Sequence, residues 1–315
     1  MRDLAYLTPM GEYDDLIAQL NHLGTEQINP RTTDIDRLSP LEIAQRINDE
    51  DQTVAGVVRQ ALPKIAQAAE LFAATLRSGG RVFYIGAGTS GRLGVLDAAE
   101  CPPTYGTEPE QIVGVISGGY DTLVLSKEGV EDQTEAAKQD LMAHGITARD
   151  IVIGLAASRR TPYTLAGIAY AHSIGCKTVF VICNKAEFIP VTPDIVIELP
   201  VGPEAITGST RMKSGTAQKL TLNTISTTAM VLLGKTYGNL MVDLQARSQK
   251  LAARSRKILM DLFDLEVAEA ETLLKQADGS VKTAIVMHRH QCSADEARKK
   301  LEKAGGFVSR IRDSE

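Results

Sequence analysis

The fold is decided by the stretch Val82-Phe-Tyr-Ile-Gly-Ala-Gly-Thr-Ser-Gly-Arg-Leu-Gly-Val-Leu-Asp-Ala-Ala-Glu-Cys101. It begins with an apolar, β-prone run and passes into a glycine loop that holds two adjacent hydroxyl residues, Thr89 and Ser90. A segment with helical character follows and ends on Glu100. This order predicts a strand, an anion-binding turn and a helix. We therefore interpret this stretch as the first strand–helix unit of an α/β protein.

The same alternation of strand and helix continues along the chain. The apolar runs are nearly continuous, which is typical of a parallel sheet buried on both faces. We therefore predict a three-layer αβα open parallel sheet of the flavodoxin-like kind, with right-handed crossovers. The predicted strands are 81–85, 111–116, 150–155, 177–182 and 195–199, and the predicted helices between them are 91–100, 130–144 and 163–174.

Three domains are expected from changes in composition and hydrophobic periodicity along the chain. Residues 1–38 form an N-terminal arm with a short helix around Glu12–Leu23, and residues 39–250 form the main α/β domain. That domain begins with Ser39-Pro-Leu-Glu42, a helix start with capping-box spacing, and it includes a long helix over 211–233. Residues 251–315 have short amphipathic patterns, which predict a small C-terminal helical bundle packed on the α/β domain.

Composition excludes several classes of function. The net charge is −5, aromatic residues make up 4% and Trp is absent, which disfavours a nucleic-acid-binding surface. The four cysteines are scattered, so neither a zinc site nor a disulfide framework is indicated. No apolar run approaches the ~20 residues that span a bilayer, and the N-terminus lacks a signal-peptide core. We expect a cytoplasmic protein with no membrane and no nucleic-acid partner.

The glycine loop predicts a phosphate site. Its pattern, Gly86-Ala-Gly88-Thr-Ser-Gly91, matches a dinucleotide fingerprint, but the next predicted strand ends in Ser117-Gly-Gly119 and not in a carboxylate. A small phosphorylated molecule therefore fits better, held by Gly88, Thr89, Ser90 and Gly91 at a helix N-terminus. The alternative interpretation is a tight turn that needs glycine only for its geometry.

Two further segments could complete this site. Ser158 and Thr161 follow another predicted strand, at the edge where open α/β sheets bind ligands, although helix capping would also explain them. The segment 202–219 begins a helix with hydroxyls and cations, including Ser209, Thr210, Arg211 and Lys213. Cations there oppose the helix dipole, so we interpret these four residues as binding a sugar or phosphate.

Two carboxylates are candidates for acid–base chemistry. Glu100 lies at a predicted helix end, before Cys-Pro-Pro, and Glu131 lies in the acidic run Glu128-Gly-Val-Glu-Asp132. The carboxylates of Glu128, Glu131 and Asp132, at positions i, i+3 and i+4, would share one helical face. From the residues alone, a solvated helix terminus for Glu100 and an ordinary acidic first turn for Glu131 are the more common explanations.

Several motifs resemble a known family. The chain resembles the sugar isomerase (SIS) domain family and, within it, the N-acetylmuramic acid 6-phosphate etherases, from about Thr25 to Arg312. Arg159 stands where that family usually has a glycine. The matching motifs are Ile47-Asn-Asp-Glu-Asp51, 86–94, 97–106, 128–132, 202–219 and Gly238-Asn-Leu-Met-Val-Asp243.

The resemblance implies a reaction, namely cleavage of the D-lactyl ether of N-acetylmuramic acid 6-phosphate by elimination and hydration. It implies that Glu131 is the base at C2 and that Glu100 protonates the departing lactate. It also implies a homodimer with sites near the subunit interface, and neither a metal nor an organic cofactor. Two alternatives stay open: a non-catalytic sugar-phosphate sensor of the glucokinase-regulatory type, and an aldose–ketose isomerase.

Overall fold

The structure is a computed structural model that describes residues 17–18, 20–187, 189–244 and 248–312. Of the helix predicted around Glu12–Leu23, residues 12–16 and 19 lie outside the described residues, and Ile17, Ala18 and Leu20 are helical. Residues 24–37 contain two short 3-10 turns, and the side chains of Asn29 and Thr32 donate to the carbonyls of Pro203 and Ala205. This part of the predicted arm is therefore packed against the main domain.

The central sheet has five parallel strands in the order β2-β1-β3-β4-β5, and this confirms the predicted flavodoxin-like topology. Every residue of β1 and β3 is buried, as expected for strands covered by helices on both faces. The strands are β1 (Val82–Gly86), β2 (Ile112–Ile116), β3 (Ile151–Ala156), β4 (Lys177–Ile182) and β5 (Ile195–Glu198).

Helices cover the two faces of this sheet and form the predicted three layers. On one face, α2, α3 and α6 share a core with Tyr84 and Ile153, and on the other face α4 and α5 pack against Phe83 and Val152. These helices are α1 (Pro40–Asp51), α2 (Val54–Arg77), α3 (Gly88–Tyr105), α4 (Thr134–Ala143), α5 (Pro162–Ser173) and α6 (Lys213–Leu232). The predicted capping box at the start of α1 is present.

Two predicted helix boundaries are wrong. Helix α3 does not end at Glu100 but continues through Pro102 and Pro103. Proline has a helical φ but no N–H to donate. The last turn nevertheless closes, from Gly106 N–H to the Pro102 carbonyl, at 2.9 Å. Helix α4 begins at Thr134 and not at residue 130, because the preceding residues form a separate 3-10 turn, Val130–Asp132.

The C-terminal residues form a small helical bundle with a core of its own, which confirms that part of the predicted fold. Val242 and Leu244 join this core from before the bundle, while the exact domain boundaries stay a prediction. The bundle contains α7 (Gln249–Phe263), α8 (Val267–Gln276), α9 (Val281–His290) and α10 (Ala294–Lys303). Among the described residues, no helix has both the length and the apolar character to cross a membrane.

Candidate active site

A cavity of about 340 Å³ opens at the carboxyl ends of β1, β2 and β3. The strand order reverses between β1 and β3, and this is where open α/β sheets bind ligands. The lining is mostly hydroxyl and charged side chains. It consists of Glu26, Ala87, Gly88, Thr89, Ser90, Arg92, Ser117, Thr122, Ser126, Lys127, Glu128, Val130, Glu131, Ala157, Ser158, Thr161 and Thr210.

The glycine loop contributes three of the residues predicted for it. Gly88, Thr89 and Ser90 line the cavity at the first turn of α3, and no side chain caps the backbone N–H groups there. These N–H groups and the helix dipole favour an anion. Gly88 has φ of 53°, a backbone conformation that favours glycine.

Gly91 has a packing role and is not part of the cavity lining. A Cβ at Gly91 would lie 2.6 Å from the Gly86 carbonyl oxygen and 2.7 Å from the Ile116 side chain. This glycine therefore permits close approach of α3 to the sheet, and its role in binding the ligand stays a prediction.

The second predicted loop also reaches the cavity, through Ser158 and Thr161. Thr161 precedes α5 without making a side-chain cap, so capping does not explain its hydroxyl. Ser158 Oγ accepts from the Arg160 N–H at 3.3 Å and keeps its own hydrogen available to donate. Both hydroxyls can therefore donate to a ligand oxygen.

Arg159 lies between these hydroxyl residues but its side chain points elsewhere. It is buried, and Nη1 donates to the Lys185 carbonyl at 2.6 Å. Its φ is 61°, in the left-handed region that a glycine adopts without strain. The backbone of this loop thus has a conformation that suits glycine, although the residue is arginine.

The third predicted segment contributes only Thr210 to the cavity. Ser209 and Arg211 are not among the lining residues, and Lys213 is 1% exposed with its Nζ 2.7 Å from Glu50 Oε2. That Lys213 binds the ligand stays a prediction, and in this chain a buried ion pair engages its ammonium group. The carboxylate of Glu204 accepts from the N–H groups of Lys213 and Ser214, at 2.8 and 2.9 Å, and so caps α6.

Glu131 lines the same cavity as the two hydroxyl loops. It lies in the 3-10 turn Val130–Asp132, which Ser117 anchors by donating from Oγ to the Val130 carbonyl at 2.5 Å. The expected acidic face of a longer helix is not formed, because this turn separates Glu131 from α4. The turn instead directs Glu131 to the carboxyl end of β2.

Glu100 lines a different cavity, of about 260 Å³. It lies ten residues after Ser90 on the continuous helix α3, so about 15 Å of helical rise separates the two positions. One chain therefore does not bring the two predicted catalytic carboxylates into one cavity. This second cavity is lined by Leu93, Leu96, Asp97, Glu100, Lys219, Leu222 and Asn223.

Relatives with assigned names match almost the whole chain. The N-acetylmuramic acid 6-phosphate etherase of Mycolicibacterium smegmatis is 52% identical over 92% of this chain and 97% of its own. The one of Brucella anthropi is 49% identical over 93% of this chain and 95% of its own. This chain belongs to the N-acetylmuramic acid 6-phosphate etherase family.

Two other comparisons are more distant. Residues 64–172 match the model of the glucokinase regulatory protein N-terminal SIS domain. A phosphoheptose isomerase structure from Francisella tularensis covers 61% of this chain and 98% of its own, at 20% identity and a TM-score of 0.45.

Sequence reasoning missed several cavity residues of this etherase-family chain. Arg92 lies within the quoted glycine motif, and its guanidinium donates to the carbonyls of Thr122 and Leu123, which fixes the loop beside the cavity. Ser117 could have been found, because it directly follows β2 at the ligand-binding edge. Nothing in the sequence pattern around Glu26 or Lys127 indicated that they line the cavity.

Proposed function

We propose that the protein cleaves the D-lactyl ether of N-acetylmuramic acid 6-phosphate and yields N-acetylglucosamine 6-phosphate and D-lactate. The observation that supports this most directly is the shared cavity of Glu131 and the two hydroxyl loops. The proposed base, Glu131, therefore lines the same cavity as the hydroxyl loops that can bind the phosphate of the sugar. Family membership supplies the identity of the bond that breaks.

The phosphate would bind at the first turn of α3. The N–H groups of this turn and the hydroxyls of Thr89, Ser90, Ser158 and Thr161 are its donors, and the helix dipole adds a favourable field. Lys127 and Arg92 also line the cavity and add positive charge. Thr210 lies at the same cavity and is available for the sugar hydroxyls.

The chemical steps follow from the acidity of C2 in the open-chain sugar, whose C1 is an aldehyde. The Glu131 carboxylate removes the C2 proton, and the electron pair is delocalised onto the aldehyde oxygen. The C3–O bond then breaks, and the lactate oxygen takes the bonding pair together with a proton from Glu100. Water adds to C3 of the unsaturated aldehyde and C2 regains a proton. Each general acid or base contributes about 10²–10⁴ in rate.

The sensor and isomerase alternatives are not favoured. The relatives that match over nine-tenths of this chain at about half identity are named etherases, whereas the match to the regulatory-protein model covers 64–172 alone.

A cytoplasmic setting for the reaction is also proposed. All four cysteines are free, as is usual in a reducing compartment.

Incubation of the purified protein with N-acetylmuramic acid 6-phosphate tests the proposal. D-lactate should be released, and cleavage in H₂¹⁸O should label the sugar at C3. Label in the lactate would mean that a different bond breaks. No release of D-lactate above an enzyme-free control would refute the proposed activity.

A further inference from the structure

We infer that Glu26 selects the open-chain form of the substrate, because its carboxylate accepts hydrogen bonds from the hydroxyls at C4 and C5 of the sugar. The inference rests on the proposed function, since elimination requires the free aldehyde of that form. Glu26 lines the same cavity as Glu131 but has no part in the chemical steps given above. Its position and its lack of a protein partner assign it to substrate recognition.

The turn that carries Glu26 is fixed to the sheet by buried side chains. Thr25 and Asn184 are 0% and 4% exposed. The Asn184 amide nitrogen donates to Thr25 Oγ1 at 3.1 Å and to the Ala157 carbonyl at 2.9 Å. Asn184 lies just after β4, and Ala157 directly follows β3. The turn is therefore held against the loop after β3, on the β4 side of the cavity.

Glu26 and Glu131 approach the cavity from opposite sides. Ser117, which anchors the turn of Glu131, directly follows β2, whereas Asn184 follows β4. Strands β1 and β3 lie between β2 and β4, so about 14 Å separates these two strands. The proposed phosphate donors follow β1 and β3 and lie between the two carboxylates. A sugar phosphate bound there can present C2 to Glu131 and its hydroxyls to Glu26.

The carboxylate of Glu26 has no partner among the described residues. In this part of the chain neither oxygen accepts a hydrogen bond and no cation pairs with it. The carboxylate lies against Gly208, where an added Cβ would be 3.2 Å from Oε2, and Gly208 is two residues before Thr210. An unpaired carboxylate beside an anion site is unfavourable unless the ligand supplies hydrogen-bond donors. Glu26 is therefore suited to sugar hydroxyls.

The open-chain form offers this carboxylate one donor more than the ring form. C4 and C5 lie between the phosphate-bearing C6 and C3, so they are the hydroxyl-bearing carbons nearest the phosphate donors. C4 carries a hydroxyl in both forms, whereas the oxygen on C5 closes the pyranose ring and gains a hydrogen only when the ring opens. A carboxylate has two acceptor oxygens and can accept from both hydroxyls. A hydrogen bond made only in the open chain shifts the equilibrium towards that form.

Two unreactive ligands test the inference without turnover. N-acetylglucosaminitol 6-phosphate is acyclic and has hydroxyls at C4 and C5, whereas its 1,5-anhydro derivative has a closed ring and no hydroxyl at C5. Isothermal titration calorimetry gives Kd of each ligand for wild type and for E26A. We expect E26A to weaken the acyclic ligand about 10- to 100-fold more than the cyclic one, because only the acyclic ligand loses the bond from C5.

A matched variant controls for a general effect of charge. E110A removes an exposed carboxylate just before β2, at the opposite edge of the sheet, and should bind both ligands as wild type does. E26A should melt at the wild-type temperature, because its side chain has no partner to lose. Equal weakening of the two ligands by E26A, or no weakening of either, would overturn the inference.

The outcomes separate this inference from the proposed function. Wild type that releases D-lactate, combined with an E26A variant that weakens both ligands equally, would overturn the role of Glu26 alone. Wild type that distinguishes the two ligands through Glu26 but releases no D-lactate would refute the etherase activity and leave the selectivity of the site.

Discussion

Lys213 Nζ lies 2.7 Å from Oε2 of Glu50, and the two side chains are only 1% and 2% exposed. Arg31 completes the arrangement, since its Nε and Nη2 lie 2.5 and 2.8 Å from the two oxygens of Glu50. Three distant parts of the chain thus meet at one carboxylate: the segment before α1, α1 itself and the start of α6. Breaking such a pair leaves a buried charge without its partner.

Substitution of Glu50 should therefore destabilise the fold strongly. We expect E50Q to lower the free energy of unfolding by about 3–5 kcal/mol, because Lys213 would remain buried without a counter-ion. Denaturation in urea measures the change. The matched control is E70Q, at an exposed position on α2, which should stay within about 0.5 kcal/mol of wild type. An equal effect of the two substitutions would contradict the role given to the ion pair.

The same carboxylate should make stability depend on pH. The hydrogen bonds from Arg31, together with Lys213, lower the pKa of Glu50 from 4.5 to about 2. Because the folded-state pKa is depressed, the stabilisation is present above about pH 4.5 and is lost as pH falls towards 2. It corresponds to about 3 kcal/mol. The stability difference between wild type and E50Q should therefore shrink over this interval, and a constant difference from pH 6 to pH 2 would rule this out.

The sheet could be predicted from the sequence because buried parallel strands are continuous apolar runs, and the loops after β1 and β3 could be placed because strand ends meet at one edge. Lys213 could not be placed in the same way. Its cation opposes the helix dipole, and its partner, Glu50, is 163 residues away in the chain. A cation at a helix start thus indicated that an anionic partner offsets the unfavourable dipole. The sequence did not show whether this partner is a bound ligand or a buried carboxylate of the protein.

Glu100 and Glu131 illustrate a second limit of sequence reasoning. Both residues were identified, but their separation depends on the straight course of α3 and on the 3-10 turn that interrupts the predicted helix at Val130–Asp132. The prolines after Glu100 suggested a helix end, whereas tertiary packing carries α3 through them. Local helix propensity predicts the end of a helix poorly where tertiary packing determines it.

The backbone at Arg159 allows a test with two small residues. R159G and R159A both remove the hydrogen bond to Lys185, so they differ mainly in how well they tolerate a φ of 61°. A side chain with a Cβ costs about 1–2 kcal/mol in the left-handed region. R159G should therefore be about 1 kcal/mol more stable than R159A in urea denaturation. The reverse order would mean that the loop relaxes out of this conformation.

The hydroxyls at the first turn of α3 and the loop after β3 should determine substrate affinity. T89A and S158A each remove a donor to the phosphate, and a hydrogen bond to a charged group contributes about 1.5–3 kcal/mol. We expect KM for N-acetylmuramic acid 6-phosphate to rise about 10- to 100-fold. S173A removes an exposed hydroxyl near the end of α5 and should leave KM unchanged. An unaltered KM in both loop variants would place the phosphate elsewhere.

Ser117 should act by positioning Glu131. Its Oγ donates to the Val130 carbonyl at 2.5 Å, one residue before the proposed base. A displacement of about 1 Å can cost up to 10²-fold in rate, so we expect S117A to lower kcat by about 10- to 100-fold with a change in KM of less than about threefold. Initial rates of D-lactate release measure both constants. In an E131Q background, S117A should have no further effect on kcat, because it acts through the missing base. A rise in KM at normal kcat would show instead that Ser117 only binds the substrate.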